Sequence, residues 1–289
     1  FTTGDLPTRG NIEVDPDAAR IYYGELIEGY SVVGAPEGAE PREFDLPEGG
    51  SSGDGQVNNT YDGEGGVEVG SFFRQLVFAI YYRERNFLLS SAVNDASKVL
   101  YVRDPLDRVE KAAPFLTVDG DPYPAVIDGR VTWILDGYTT SGSYPYSEQM
   151  ELGEAAADAL TGTGTTALPN ETFNYIRNSV KATVDAYDGT VTLYEWDTTD
   201  PVLQTYMKAF PGLVQPREDM SADLVGHVRY PEDLFKVQRD ILTRYHVSDP
   251  GDFYSQNDRW AVPSDPTQDT QTEEAQPPYY ILAARPGEQ

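Results

Sequence analysis

Two short segments limit the architecture more than anything else in this chain: PAVIDGRVTWILD (Pro124–Asp136) and ATVDAYDGTVTLYEWD (Ala182–Asp197). Each sets Asp-Gly between runs of β-branched and aromatic residues. A two-residue hairpin turn needs positive φ at its centre, which Asp and Gly tolerate, and its twist matches that of the strands it joins. Both segments therefore predict β-hairpins, so the fold must carry antiparallel sheet. Both also continue as x-Val-Thr, a match so short that shared turn chemistry explains it without duplication.

Helical periodicity organises much of the rest. Ser71 can cap a helix running to about Arg85, with Phe72, Phe73, Leu76, Val77, Ile80 and Tyr81 recurring on one face; this predicts the first buried helix. Asp104 and Pro105 suit the cap and first position of a short helix with Leu106, Val109 and Ala113 inward. Further helices are expected over Glu154–Leu160, Pro201–Ala209, Ser221–Val225, Pro231–Tyr245 and Pro250–Ser255. Arg20–Gly34 reads as two paired strands, Glu43–Leu46 as an edge strand in a long surface loop, and Tyr279–Ala284 as a final strand. Ser264–Pro278 is low-complexity and reads as disordered or as a surface excursion. Strands and helices mix without a βαβ rhythm. The expected class is α+β: a mixed, mainly antiparallel sheet built from hairpins, with packed helices. On this reading the chain divides into an α+β part over 1–149, a flexible link over 150–170 and a second α+β part over 171–289, unless the two parts form one continuous domain.

Charge restricts the partners. The 289 residues include 48 acidic and 21 basic side chains, a formal net charge of −27. Nucleic acid is set aside as a partner, because phosphate binding needs a basic face, and an anionic membrane surface repels the chain as a whole. Solubility or tolerance of high salt is the plain use of such a surface. No Cys is present, which removes disulfides, thiolate metal sites and cysteine nucleophiles. No stretch approaches the ~18 apolar residues of a membrane span. The first residue is Phe1 and no signal-peptide pattern follows, so a processed protein or an excised piece of a longer one is expected.

Chemistry-bearing residues are few. His227 and His246 are the two histidines, on either side of the helix expected over Pro231–Tyr245. At about 1.5 Å per residue that helix holds them roughly 20–25 Å apart, so they cannot share a metal or form a catalytic pair. His246 suits a capping or packing role at the negative end of the helix dipole. His227, beside Arg229, is the more open candidate for binding, together with Tyr123 and Trp133. The segment TVDGDPYPAVIDG brings Asp119, Asp121 and Asp128 close in sequence. Carboxylates two residues apart resemble the start of a calcium loop, although the later ligands and closing Glu of an EF-hand are missing. Calcium is the one cofactor these residues leave open. The glycine-rich loop Tyr61–Ser71 precedes a helix but lacks the Gly-Lys-Ser/Thr of a phosphate loop, and Glu64 and Glu68 oppose an anion; tight backbone geometry is its simpler use. No Gly-x-Ser-x-Gly context supports a serine nucleophile.

Several segments together point to a family. LVGHVRYPEDLFKVQRDILTRYHVSDPGDFYSQNDRWAVP resembles a signature of the large actinobacterial and cyanobacterial membrane proteins grouped as uncharacterised protein family 0182, as do NYIRNSVKATVDAYDGTVTLYEWD and YDGEGGVEVGSFFRQLVFAI. The resemblance covers most of the chain in the same order. It implies several membrane helices followed by a large extracytoplasmic portion, of which this chain would be a piece. It further implies a place on the extracytoplasmic side of the cell membrane and, as partners, the membrane-embedded helices of the full-length chain or another envelope protein. It carries over no activity and no catalytic residue. The leading expectation is thus a non-catalytic extracytoplasmic domain in assembly or in partner and ligand binding. The alternatives are an envelope hydrolase using paired carboxylates or a bound divalent cation, and a calcium-stabilised structural module.

Overall fold

The computed structural model describes residues 19–46, 57–162, 165–267 and 274–280, and the fold is α+β. The first elements are β1 (Ser31–Val33), the antiparallel pair β2 (Glu43–Leu46) and β3 (Val57–Asn59), β4 (Val67–Glu68), the helices α1 (Phe72–Tyr82) and α2 (Asn86–Leu89), and β5 (Lys98–Leu100). β5 lies between β1 and β4, antiparallel to both. Arg20–Gly34 is not a hairpin, since only Ser31–Val33 is strand. The tyrosines before it act as anchors instead: the backbone N–H groups of Tyr22 and Tyr23 donate to Ala186 O at 2.8 and 2.9 Å, and Tyr23 is buried with Tyr61 and Tyr187. Burial of these rings against a distant loop overrides the local strand preference.

α1 starts as expected, with the Ser71 hydroxyl accepting from the Arg74 N–H, and ends at Arg83 in the left-handed region. Its buried side is not the expected one. Phe78, Ala79 and Tyr82 pack on Val69, Phe87 and Val99, while Phe72, Phe73, Val77, Ile80 and Tyr81 are exposed. The helix is apolar on both sides, so spacing alone could not choose between them.

After α3 (Pro105–Ala112), capped by the Asp104 carboxylate, come β6 (Thr117–Val118), β7 (Tyr123–Ile127) and β8 (Arg130–Ser141). A side pair, β9 (Met150–Glu151) with β10 (Thr172–Phe173), flanks α4 (Leu152–Ala155). β11 (Tyr175–Asp185), β12 (Val191–Glu195), α5 (Pro201–Ala209) and β13 (Val214–Gln215) follow. The main sheet runs β13-β12-β11-β8, with β6 and β7 both pairing with the long β8. Its pairs are antiparallel except β12 with β13. The first hairpin has positive φ at both Asp128 and Gly129, as a two-residue turn requires. The second is longer: Val184 pairs with Val191 and the Asp185 N–H donates to Thr190 O, which leaves 186–189 as the loop. Arg130 ties the two turns together, 2.7 Å from Asp185 and 2.8 Å from Asp188.

Helices cover both faces of this sheet. Val131, Trp133, Leu135, Val180, Ala182 and Val184 meet Val109, Ala113 and Leu203 on one side; each such buried Val or Leu contributes about 1.5–3 kcal/mol relative to exposure. On the other side Ile134 packs with Tyr123, Met220 and Leu224, the last from α6 (Ala222–His227). α7 (Glu232–Tyr245) sets its first turn there, and α8 (Pro250–Ser255) follows. Leu234 and Val237 of α7 are buried, but Ile241, Leu242 and Tyr245 stay 38–52% exposed, and Glu232, Asp233 and Lys236 are buried in their place.

β8 and β11 are joined over ten Cα pairs, so one sheet crosses the division expected between 1–149 and 171–289. Residues 150–170, expected as a flexible link, include the buried Leu152, Ala156 and Ala159, and Leu152 packs on Val237. Of the final strand expected over Tyr279–Ala284, Tyr279 and Tyr280 are not strand and 281–284 lie outside the described residues. Among the described residues no helix is long and apolar enough to cross a membrane.

Candidate functional site

The sheet face under α7 carries charge where the opposite face carries Val and Leu. Alternation along β8 puts Asp136 and Tyr138 on this face, and alternation along β11 adds Lys181. A bulge shifts the register between Asn178 and Val180. It turns Asn178 to the same side as Lys181 although the two are three residues apart. Both reach Asp136: Asn178 Nδ2 donates to Oδ1 at 2.8 Å, and the Lys181 ammonium pairs with the same oxygen. Lys181 also donates to Arg229 O at 3.1 Å and lies 5.2 Å from the centroid of the Trp196 ring.

A second cluster begins at Asp119, just after β6. Its Oδ2 accepts from the Tyr138 hydroxyl and from the Asp233 N–H at 3.1 Å, and its Oδ1 accepts from the Asp121 N–H at 3.0 Å. Asp233 Oδ2 in turn accepts from the Gly120 N–H at 2.9 Å, and the Tyr138 hydroxyl oxygen accepts from the Leu234 N–H at 3.2 Å. The first turn of α7 thus satisfies N–H groups that have no partner within the helix. One turn on, Lys236 Nζ lies 2.8 Å from Asp158, 3.1 Å from Glu232 and 3.2 Å from Asp233. At the rim, the Arg229 N–H donates to the Tyr123 hydroxyl at 3.0 Å. The Arg229 guanidinium stacks on Tyr123 at 4.3 Å and on Tyr280 at 5.3 Å.

Six carboxyl groups here face two buried lysines and one exposed arginine. Burial pushes Asp136 up to about 6 despite Lys181. Burial, and then the charge of Asp119, push Asp233 up to about 7. Burial also raises Glu232 and, with Asp119, raises Asp121. For Lys236 burial works against the charge, but Asp233, Asp158 and Glu232 outweigh it and hold the ammonium above its usual range. Burial and Asp119 keep the Tyr138 hydroxyl protonated, and burial raises Tyr123 to about 12. Such a cluster can hold a proton near neutral pH and fix a cationic side chain.

The whole chain, residues 1–289, matches the model of the Uncharacterised protein family (UPF0182). The chain belongs to UPF0182. A UPF0182 protein of Arthrobacter sp. (strain FB24) is 54% identical over 288 residues, covering 99% of this chain and 28% of the relative. One of Salinispora arenicola (strain CNS-205) is 56% identical over 281 residues, covering 96% and 28%, and one of Frankia alni is 54% identical over 285, covering 98% and 27%. The chain therefore spans about 28% of the length of the curated relatives it matches. No solved structure matches it.

The fold of this UPF0182 chain separates the residues singled out in the sequence. Asp119, Asp121, Tyr123 and Arg229 come together in the network just described. His227 contributes only its carbonyl, which accepts from the Tyr123 hydroxyl at 3.3 Å; its Nδ1 lies 2.9 Å from Asp223 O, on an exposed side. Trp133 belongs to the opposite core, where its Nε1 donates to Tyr23 O at 2.9 Å. Asp128 sits in the turn beyond β7, its N–H donating to Asp223 at 2.9 Å. The length of β7 thus separates Asp128 from Asp121, and Asp119 is engaged by protein donors; Asp119, Asp121 and Asp128 do not form the calcium loop their spacing suggested. Among the described residues no three Asp, Glu or His side chains group as metal ligands would. His246 ends α7, stacked on Trp260 at 3.8 Å, remote in the fold from His227. In the glycine-rich loop the Glu64 N–H donates to Asp188 and the Gly65 N–H to the Tyr61 hydroxyl, so its backbone donors are used within the protein. A Cβ at Gly63 or Gly65 would come within 2.3 Å of neighbouring atoms, in keeping with the tight-backbone reading.

Sequence reasoning missed Asp136, Tyr138, Asp158, Lys181, Glu232, Asp233 and Lys236 as members of a site. A signal was present: Asp136 closes the run VTWILD, and Lys181 lies inside SVKATV. A charge within an apolar strand run must find a partner when the strand is central.

Proposed function

We propose that the chain is an extracytoplasmic domain of an integral membrane protein, serving assembly or partner and ligand binding at the cell envelope, without turnover of its own. The observation that carries the non-catalytic reading is the engagement of the buried carboxylates. A catalytic acid or base must offer its oxygen or proton to the substrate. Asp119, Asp136 and Asp233 instead meet Tyr138, Asn178, Lys181, the Gly120 N–H and Lys236. A paired polar network of this kind fixes the mutual position of α7 and the sheet. The membrane placement is supported by the family resemblance.

A second reading, an envelope hydrolase, draws on the Asp119–Asp233 pair and the raised Asp233. The two are separated by assaying the chain and its Asp233→Asn variant on chromogenic glycosides, peptides and phosphate esters. Absence of turnover agrees with the binding reading; turnover that disappears in the variant replaces it with the hydrolase. The placement is tested in a full-length relative. Leu26 is 97% exposed and this chain has no Cys, so a Cys at the position matching Leu26 (Leu26→Cys), in a relative whose own Cys are replaced, is a single reporter thiol. Labelling by an impermeant maleimide in intact cells is expected, and labelling only after lysis would sink the placement.

A further inference from the structure

We infer that the open face of α1 is a membrane-surface contact, seating its aromatic and aliphatic side chains in the headgroup region of an anionic bilayer with arginines on the lipid phosphates. Phe72, Phe73, Val77, Ile80 and Tyr81 are 70, 73, 47, 69 and 75% exposed. They form two adjacent i, i+4 rows, one through Phe72 and Ile80 and one through Phe73, Val77 and Tyr81, making a strip about 12 Å long. Leu89 of α2, 73% exposed, adds a further apolar side chain to this part of the surface. Contiguous apolar surface of this kind marks an interaction site. Tyr81, at one end of the strip, is of the type favoured where one end of a ring meets hydrocarbon and the other meets water, and Phe72 and Phe73 add apolar rings at the other end.

Charge selects the lipid surface among the occupants of such a face. The chain as a whole carries −27, yet residues 71–91 hold three arginines against Glu84 alone. Arg74 is paired with Glu68 at 3.5 Å, whereas Arg83 and Arg85 are exposed and have no carboxylate partner among the described residues. A second copy of this chain would bring −27 against −27. An apolar groove on a protein would gain little from the arginines, while an anionic bilayer offers phosphates above hydrocarbon, which matches the helix in both respects. The whole-chain repulsion expected from composition is screened beyond a Debye length of about 10 Å in ~0.1 M salt, so the local arginines dominate once α1 faces the bilayer. The contact rests on the reading above only in requiring that a bilayer be near.

The test is flotation of the chain with vesicles of phosphatidylcholine alone or mixed with phosphatidylglycerol, in ~0.1 M salt. Binding to the mixed vesicles is expected. The Phe73→Ser, Ile80→Ser double variant should lose about tenfold of it, from the apolar area no longer buried. Arg83→Gln with Arg85→Gln should lower binding to the mixed vesicles and leave the neutral ones unaffected. All four side chains are exposed, so an unchanged melting temperature verifies the fold of each variant. No binding of the unaltered chain to mixed vesicles overturns the inference. So does binding that both double variants retain in full, or a dimer that Phe73→Ser abolishes, which would make a second copy the occupant. Outside labelling of Leu26→Cys without vesicle binding removes this contact and leaves the placement standing. Vesicle binding with labelling only after lysis does the reverse.

Discussion

Asp200 and Asp233 are both aspartates at helix starts, and their surroundings move them in opposite directions. At Asp200 burial raises the pKa, but Ser179, Thr139 and Tyr175 hydroxyls and the N–H groups of Val202 and Leu203 outweigh it, and the carboxyl ends below its usual range. At Asp233 burial and the neighbouring Asp119 win, and the group is raised to about 7. A raised carboxyl binds its proton in the folded state at pH values where the unfolded chain has released it. The stability it confers is therefore complete below about pH 4, the unfolded value, and is lost as pH rises through about 7. Asp233→Asn keeps an oxygen for the Gly120 N–H and cannot ionise. Urea unfolding of the variant should show a weaker decline of stability between pH 4 and 7, by up to about 1.4 kcal/mol per pH unit. An unaltered slope would exclude Asp233 as its source. Neither behaviour was legible in the sequence, where the two acids merely stand at the starts of the helices expected over Pro201–Ala209 and Pro231–Tyr245. What separates them is the number of donors that each finds across the fold.

At the scale of elements, the Asp-Gly signal foretold both hairpins but only one turn. Asp128-Gly129 is the two-residue turn itself, whereas Asp188-Gly189 lies within a longer loop because Tyr187 is drawn into the aromatic cluster with Tyr23 and Tyr61. Gly189 has φ +69°, and a Cβ there would stand 2.5 Å from the Tyr23 ring. Gly189→Ala is expected to cost about 2–3 kcal/mol, of which the left-handed backbone accounts for about 1 and displacement of the ring for the rest. A loss below about 0.5 kcal/mol in denaturant unfolding would show that the Tyr23 ring gives way freely. α1 teaches the same lesson differently. Spacing located the helix and its Ser71 cap, but a helix apolar on both sides buries whichever side the small β1-β5-β4 sheet happens to meet.

For the whole molecule, net charge and buried acids act in the same direction. The formal charge of −27 at pH 7 falls as pH approaches the sequence pI near 4.2, which relieves self-repulsion. Over the same interval Asp136 and Asp233 take up the protons that their burial favours, while Asp200, held below the usual carboxylate range by its hydroxyl and N–H donors, keeps its charge. The melting temperature should therefore be higher at about pH 5 than at pH 7.5, and at pH 7.5 it should rise with added salt. Calorimetry that shows no gain on acidification would remove the buried acids from this account. By itself the sequence determined the α+β class, the antiparallel hairpins, most helix starts, the Ser71 and Asp104 caps, and membership of the family. These follow from turn chemistry, periodicity and residue order, all of which are local. Only the tertiary structure decided that β8 and β11 join the two parts of the chain in one sheet, that a bulge at Ser179 sets Asn178 beside Lys181, that Asp119, Asp136 and Asp233 share one buried network, and which face of α1 stays open. Each depends on which distant surface arrives as a partner, and burial and charge pairing, unlike periodicity, are properties of that encounter.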